Sequence, residues 1–229
     1  MLKSVLFDLD NTLIDFLTFK KETAKAAAKA MVAHGLKMSE TEAYGKIFSV
    51  YDEKGIEYQK TFFEVLKPLN LDINQAEKIQ QAATIAYLKR KFEVLRPYPM
   101  VKPTLSRLKT LNPKLFLGMV TDAPRNKAWQ RLVLAGLENE FDIVITLDDT
   151  LNKKPHPTPF KLAIEKLQIE PSECLFVGDN PETDIKGAKD AGMKTCLAAY
   201  GQWKKSSTVK ADFTIQRFSE LEKIVEKMI

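Results

Sequence analysis

Val5-Leu6-Phe7-Asp8-Leu9-Asp10-Asn11-Thr12-Leu13 decides how this chain is read. The apolar run that ends at Phe7 has the continuity of a strand buried on both faces, and it stops at Asp8. Asp10 follows two positions later, and Asn11 and Thr12 carry the turn. Open α/β sheets bind ligands in the crevice at the carboxyl ends of such strands. Two carboxylates crowded there repel each other unless a cation lies between them or one keeps a proton. The pair suits covalent chemistry in which one carboxylate attacks and the other moves protons. The plainer alternative is a strand that closes in a polar Asx-type turn.

Outward from that stretch the pattern turns helical for about eighty residues, the span of a small domain. Lys20 to Ala33 is rich in Ala and Lys, and Gly35 is placed to end that helix. Ser39 and Glu42 have the spacing of a capping box, and Ile47, Val50 and Tyr51 recur at helical spacing. A short helix around Phe62 to Leu66 ends at Pro68, and another starts near Asn74 and runs to about Phe92. Arg96-Pro97-Tyr98-Pro99 then forces a stiff, non-helical crossover. Beyond it β and α alternate. Strands are expected at Leu115–Val120, Ile143–Ile145, Cys174–Val177, Lys194–Ala199 and Phe213–Ile215. Helices are expected at Val101–Leu111, Asn126–Ala135, Phe160–Leu167 and Asp184–Ala191, with a last one capped by Ser219. The alternation predicts an α/β fold, a parallel sheet with helices on both faces, interrupted by an all-α insert. The expected boundaries are residues 1–14 and 97–229 for the α/β core and 15–96 for the insert.

Of the 229 residues 45% are hydrophobic and 28% charged, enough for a proper core in a water-soluble chain. No apolar run is long enough to span a bilayer, and no signal-peptide layout precedes the first strand. The expected location is cytoplasmic. Cys174 and Cys196 lie in apolar strand-like runs and read as free buried thiols. The net charge of +5 is spread along helices, which suits an anionic substrate better than nucleic acid. Trp203-Lys204-Lys205 and the serines after it read as a solvated loop. His34 at a helix end and His156 between two prolines read as structural.

Parallel strands deliver their carboxyl ends to one edge, so polar residues there converge from distant positions. Asp8 and Asp10 follow the first strand, and Thr121 and Asp122 follow the second. Lys153 and Lys154 come after the third, Asp179 and Asn180 after the fourth, and Asp184 opens the next helix. Taken singly these are an ordinary strand-end hydroxyl, a surface lysine, a turn and a helix cap. Taken together they are several carboxylates, a hydroxyl and a lysine. Mg²⁺ relieves such carboxylate repulsion, and the hydroxyl and lysine can hold an anionic group, which is what phosphoryl transfer requires.

These motifs resemble the haloacid dehalogenase-like hydrolase superfamily, in the group with a helical cap inserted after the first strand. The resemblance runs through Phe7-Asp8-Leu9-Asp10-Asn11-Thr12-Leu13, Val120-Thr121-Asp122, Lys154-Pro155-His156-Pro157 with Phe160, and Gly178-Asp179-Asn180-Pro181-Glu182-Thr183-Asp184. It implies a Rossmann-like core and an aspartyl-phosphate mechanism. Carried over, Asp8 is the nucleophile and Asp10 the general acid/base. Thr121 and Lys154 bind the phosphoryl group with Asp122 beside them, the direction of the Asp122 carboxylate being left open. Asp8, Asp179 and Asp10, the last through its backbone carbonyl, bind Mg²⁺. Asp184, with Asn180, supports the metal shell or orients Lys154. His34-Gly35-Leu36 and the Lys153–Pro157 run look most like archaeal phosphatases of glyceraldehyde 3-phosphate. The expected activity is therefore Mg²⁺-dependent hydrolysis of a small phosphorylated metabolite such as glyceraldehyde 3-phosphate or phosphoglycolate, by a monomer or homodimer with no nucleic-acid or membrane partner. Arg125 and Asn126, and Phe16, Phe19, Lys20 and Lys91 in the insert, are candidates for reading the substrate. Three alternatives remain at this point: an isomerase similar to β-phosphoglucomutase, a dehalogenase, which Asp10 argues against, and a non-catalytic phosphometabolite-binding module.

Overall fold

The computed structural model describes residues 1–202 and 207–229, so the loop expected at Trp203-Lys204-Lys205 lies outside the described residues. The chain divides into two compact units, Met1–Asp15 with Arg96–Ile229, and Phe16–Leu95.

The first unit is built on a parallel sheet. Its strands are β1 (Ser4–Phe7), β2 (Phe116–Val120), β3 (Ile143–Ile145), β4 (Cys174–Gly178), β5 (Lys194–Ala198) and β6 (Phe213–Ile215), in the spatial order β3-β2-β1-β4-β5-β6. Every residue of β1 is buried, as its unbroken apolar run requires of a strand covered on both faces. β1 lies between β2 and β4, where the winding of the chain reverses; an open α/β sheet has its crevice at such a switch point. Leu6 aligns with Gly118 on one side and Phe176 on the other. On that face Leu6, Val120, Ile145 and Phe176 pack with Phe160 and Ala163 of α8 (Pro157–Leu167) and Ala188 of α9 (Lys186–Asp190). The Phe160 and Phe176 rings meet edge to face at 5.2 Å, and burying each contributes about 1.5–3 kcal/mol. On the opposite face Phe7 meets Phe218 at 5.8 Å. Helices α5 (Val101–Leu111), α6 (Arg125–Ala135), the one-turn α7 (Leu147–Thr150) and α10 (Leu221–Glu226) complete the unit.

The second unit is all helical among its described residues, with α1 (Phe16–Ala33), α2 (Glu40–Lys54), α3 (Thr61–Leu66) and α4 (Ile73–Val94) around a core of Ala27, Met31, Ile47, Val65 and Ile79. Ser39 and Glu42 form the expected capping box. α1 begins four residues before the Ala/Lys-rich run. Phe16 and Phe19 are mediocre helix formers, but both are buried and their rings meet at 5.5 Å, so packing overrides propensity. α4 starts from Asp72, whose carboxylate accepts from the backbone of Asn74 and Gln75, rather than from Asn74. Pro68 sits inside a 3₁₀ turn that follows α3. Lys20 is buried among the rings of Phe16, Phe19, Tyr51 and Tyr87, and Lys91 is buried against Phe19.

Two further expectations in the first unit are corrected. Ser219 is not a cap. It lies inside a 3₁₀ turn, and the Glu220 carboxylate takes the free backbone N–H of Gln216 at 2.8 Å. The segment opening at Asp184 begins instead as a wide turn over Pro181–Ile185, started by Asn180, whose side chain accepts from the Glu182 N–H. Cys174 and Cys196 are buried free thiols. No described helix is long and apolar enough to cross a membrane.

Candidate functional site

Asp8 continues β1 by one residue. Its backbone N–H donates to Val177 of β4, which fixes where its carboxylate stands at the end of the sheet. Lys154, in the segment that leads into α8, meets it there. The Lys154 Nζ is 2.5 Å from Asp8 Oδ1, 2.6 Å from Asp184 Oδ1, and donates to the Val120 carbonyl at 3.1 Å. The peptide bond between Lys154 and Pro155 is cis.

Asp122 holds this lysine from behind. Its carboxylate accepts the backbone N–H of Lys154 at 2.9 Å, so the direction left open by the sequence is toward the lysine loop. Thr121 is buried, with its N–H on the Ile145 carbonyl and its Oγ1 accepting from the Ala123 N–H. That bond leaves the hydroxyl proton to be given elsewhere.

From β4, Asp179 follows Gly178, and Asn180 donates its backbone N–H to Asp184 Oδ2 at 3.0 Å. Gly178 is required by space. A Cβ on it would lie 2.5 Å from the Asp184 carboxylate group. The buried Thr12 hydroxyl is 3.4 Å from both Asp8 Oδ2 and Asp179 Oδ1 and ties the two strand ends together. Oxygens of Asp8, Asp179 and Asp184 all lie within 4.8 Å of one another. The third side-chain carboxylate of this group is Asp184.

Asp10 turns to another partner. Its Oδ2 is 2.5 Å from a guanidinium nitrogen of Arg131 in α6. Arg131 was missed in the sequence. The available signal was its place on the inward stripe of α6 with Ala128 and Leu132, where a charge is out of keeping. Tyr200, whose hydroxyl donates to the Thr12 carbonyl at 2.6 Å, was missed as well.

Arg125 is taken up by α7 and its surroundings, its backbone N–H on Asp148 and its guanidinium on Asp149. His34 contacts the Ala30 carbonyl, and His156 caps α8. Neither joins the cluster.

Burial dominates the electrostatics. It pushes Asp8 up to about 8, with the charges of Asp184 and Asp10 adding to the rise and Lys154 opposing it. It pushes Asp179 up to about 9, with Asp184 and Asp8 adding. Burial also raises Asp122. For Lys154, burial by itself would lower the ammonium, but Asp184, Asp8 and Asp122 outweigh it and hold the group well above its ordinary value.

The donor set fits a hard divalent cation. It is all oxygen, and its buried carboxylates converge. When ionised, the carboxylates of Asp8, Asp10, Asp122, Asp179 and Asp184 outnumber the cations of Lys154 and Arg131, and a divalent cation would offset part of the excess.

The family model described as haloacid dehalogenase-like hydrolase matches residues 2–192. The glyceraldehyde 3-phosphate phosphatase of Methanopyrus kandleri is 34% identical over 234 residues, covering 100% of this chain and 99% of the relative. The phosphoglycolate phosphatase of Aquifex aeolicus is 32% identical over 228 residues, covering 100% and 99%. Among solved structures, the HAD phosphatase of Thermococcus onnurineus superposes with a TM-score of 0.68 at 29% identity, covering 98% of both chains.

Proposed function

The chain belongs to the haloacid dehalogenase-like hydrolase family and is a phosphatase, and from that premise we propose that it hydrolyses a small phosphorylated metabolite through a phosphoryl group carried on Asp8. The observation that carries the reading is the buried contact of Lys154 with both Asp8 and Asp184, beside Asp179, where β1 and β4 end. Glyceraldehyde 3-phosphate is the first substrate to test and phosphoglycolate the second, since relatives bearing those names align over the whole chain.

In the first step an Asp8 oxygen attacks phosphorus, the bond from phosphorus to the ester oxygen breaks, and Asp10 gives its proton to the departing alkoxide. Lys154 and the Thr121 hydroxyl offer donors to the phosphoryl oxygens as their charge spreads. In the second step Asp10 removes a proton from water as the water attacks phosphorus. The Asp8 carboxylate leaves, and inorganic phosphate and the alcohol are the products. Asp122 keeps the Lys154 loop in register. Mg²⁺, held by Asp8 and Asp179 with the Asp10 carbonyl and supported by Asp184 and Asn180, would neutralise charge on the phosphoryl oxygens. Residues 15–96 are read as a cap inserted into a core of residues 1–14 and 97–229, and the enzyme as cytoplasmic.

The test is Asp8→Asn, assayed for inorganic phosphate from glyceraldehyde 3-phosphate with Mg²⁺ and beside acid-quench trapping of phosphoprotein in the wild type. The amide is a poor nucleophile, so turnover should fall below about 1% while the fold persists. A folded variant with more activity than that, or a wild type that never labels at Asp8, overturns the covalent reading.

A further inference from the structure

Arg131 is a buried charge that the scheme above leaves without a task. α6 presents Ala128, Arg131 and Leu132 to the interior, spacing at which an apolar side chain is the rule. The Arg131 side chain is 3% exposed. A guanidinium is held there only at a cost in lost hydration, which an ion pair offsets when its geometry is good. It pairs with Asp10, 121 positions away in sequence, at 2.5 Å.

The two cations contact different carboxylates. Asp8 and Asp10 stand two residues apart and repel each other when both are ionised. Lys154 contacts Asp8 and Asp184, and Arg131 contacts Asp10. One carboxylate must stay aligned on phosphorus and the other on the oxygen next to it. Asp10 sits at the start of a turn in which Asn11 has φ 61°, and its side chain has two torsions to be fixed. A planar fork restricts them better than a point charge. α6 also begins four residues after Thr121, so one rigid element joins a phosphoryl-binding hydroxyl to the group that holds Asp10.

We propose that Arg131 is a positioning residue for the proton-transfer half of the reaction, its guanidinium fixing the Asp10 carboxylate where it can serve the leaving oxygen while Lys154 serves Asp8. The inference rests on the reading of Asp10 as the proton carrier. It differs from a purely architectural ion pair in what it does to different substrates. Poor leaving groups need the proton in the transition state and good ones do not.

The experiment compares Arg131→Met, Arg131→Lys, Asp10→Asn and the double variant Asp10→Asn/Arg131→Met on phosphate monoesters running from nitrophenyl to alkyl, with kcat and KM determined separately and folding checked by circular dichroism. Arg131→Met should lose about 100-fold in kcat on alkyl esters and under about 10-fold on nitrophenyl phosphate, with KM little changed. Arg131→Lys should recover part of the alkyl loss. Adding Arg131→Met to Asp10→Asn should cost no more than about 3-fold further, because the two act as one unit. Should Arg131→Met not fold, the leaving-group dependence of Arg131→Lys decides. An equal loss on every ester, or a full additional loss in the double variant, overturns the inference while the reading of Asp10 stands. If Asp10→Asn itself shows no leaving-group dependence, the assignment of Asp10 falls and the inference falls with it.

Discussion

Raising the pH should destabilise the enzyme stripped of metal, and Mg²⁺ should cancel the effect. In the folded chain burial lifts Asp8 from 3.8 to about 8 and Asp179 from 3.8 to about 9. An unfolded chain releases both protons near the ordinary value. Above that value and below the folded ones, the native state therefore holds protons that the unfolded state has lost, and stability falls as pH rises. The two carboxylates share one site and titrate as a pair, so a conservative count is one retained proton. One proton is about 1.4 kcal/mol per pH unit, or about 3 kcal/mol between pH 5 and pH 7. At about 2–4 °C per kcal/mol for a protein of this size, the melting temperature in chelator should drop by about 6–12 °C over that interval. A cation against the carboxylates favours their charged forms, so binding Mg²⁺ at pH 7 should expel about one proton. Thermal unfolding with chelator and with Mg²⁺ reads the first effect. Calorimetric titration of Mg²⁺ in two buffers of different ionisation enthalpy reads the second. Asp179→Asn, run alongside, removes one of the two carboxylates of the coupled pair and should flatten the slope, which separates the cluster from other groups that titrate. If the metal-free wild type and Asp179→Asn give parallel curves and Mg²⁺ expels no proton, the carboxylates ionise without penalty and the reasoning is wrong.

Lys154→Met should strand Asp8 and Asp184 without their shared cation. A loss of about 3–5 kcal/mol in urea unfolding and at least about 100-fold in kcat is expected, and near-wild-type stability would show that the lysine is not their counter-charge. Gly178→Ala should cost about 1–3 kcal/mol, since its Cβ would lie 2.5 Å from the Asp184 carboxylate. Its activity should fall further than its melting temperature implies, and unchanged Mg²⁺ dependence would argue that Asp184 does not support the metal.

Much of the fold could be read because its signals are local. The buried run ending at Phe7 and the β/α alternation after Pro99 fix a parallel sheet, and a parallel sheet gathers its strand ends by construction. That is why Asp8, Lys154, Asp179 and Asp184, from three separate segments, could be named together. The contacts between them could not be read. Whether Asp122 faced a substrate or the chain depended on the path of the Lys154 loop, and the backbone of Lys154 claims it. Arg131 escaped notice because its partner is far away in sequence and its place on the inward stripe of α6 was the one local sign of it. A helix start failed where a nearby acceptor decided between two candidates, as with Asp72 over Asn74, and at Ser219 a 3₁₀ turn took the place of the expected cap. At Phe16 the failure had another cause, because apolar packing extended a helix through residues of modest propensity.

The inserted unit leaves the core from Asp15 and returns to it at Arg96, and these two residues are hydrogen-bonded to each other through their backbones at 3.3 Å, next to a bridge between Ile14 and Pro97. This matters for how the molecule is assembled. β1, the strand that leads into Asp8, has both its sheet neighbours on the far side of that excursion, in residues 116–120 and 174–178. Were the eighty residues from Phe16 to Leu95 a slack loop, closing it would cost about 2.5 kcal/mol more than closing a five-residue connection. A helical unit with its own core forms from near-neighbour contacts and can do so first, bringing its two ends within reach of each other before any strand pairs. The excursion then behaves kinetically as a short connector. The pairing that then spans the greatest sequence separation at β1 is that with β4, the same pairing that sets Asp179 beside Asp8.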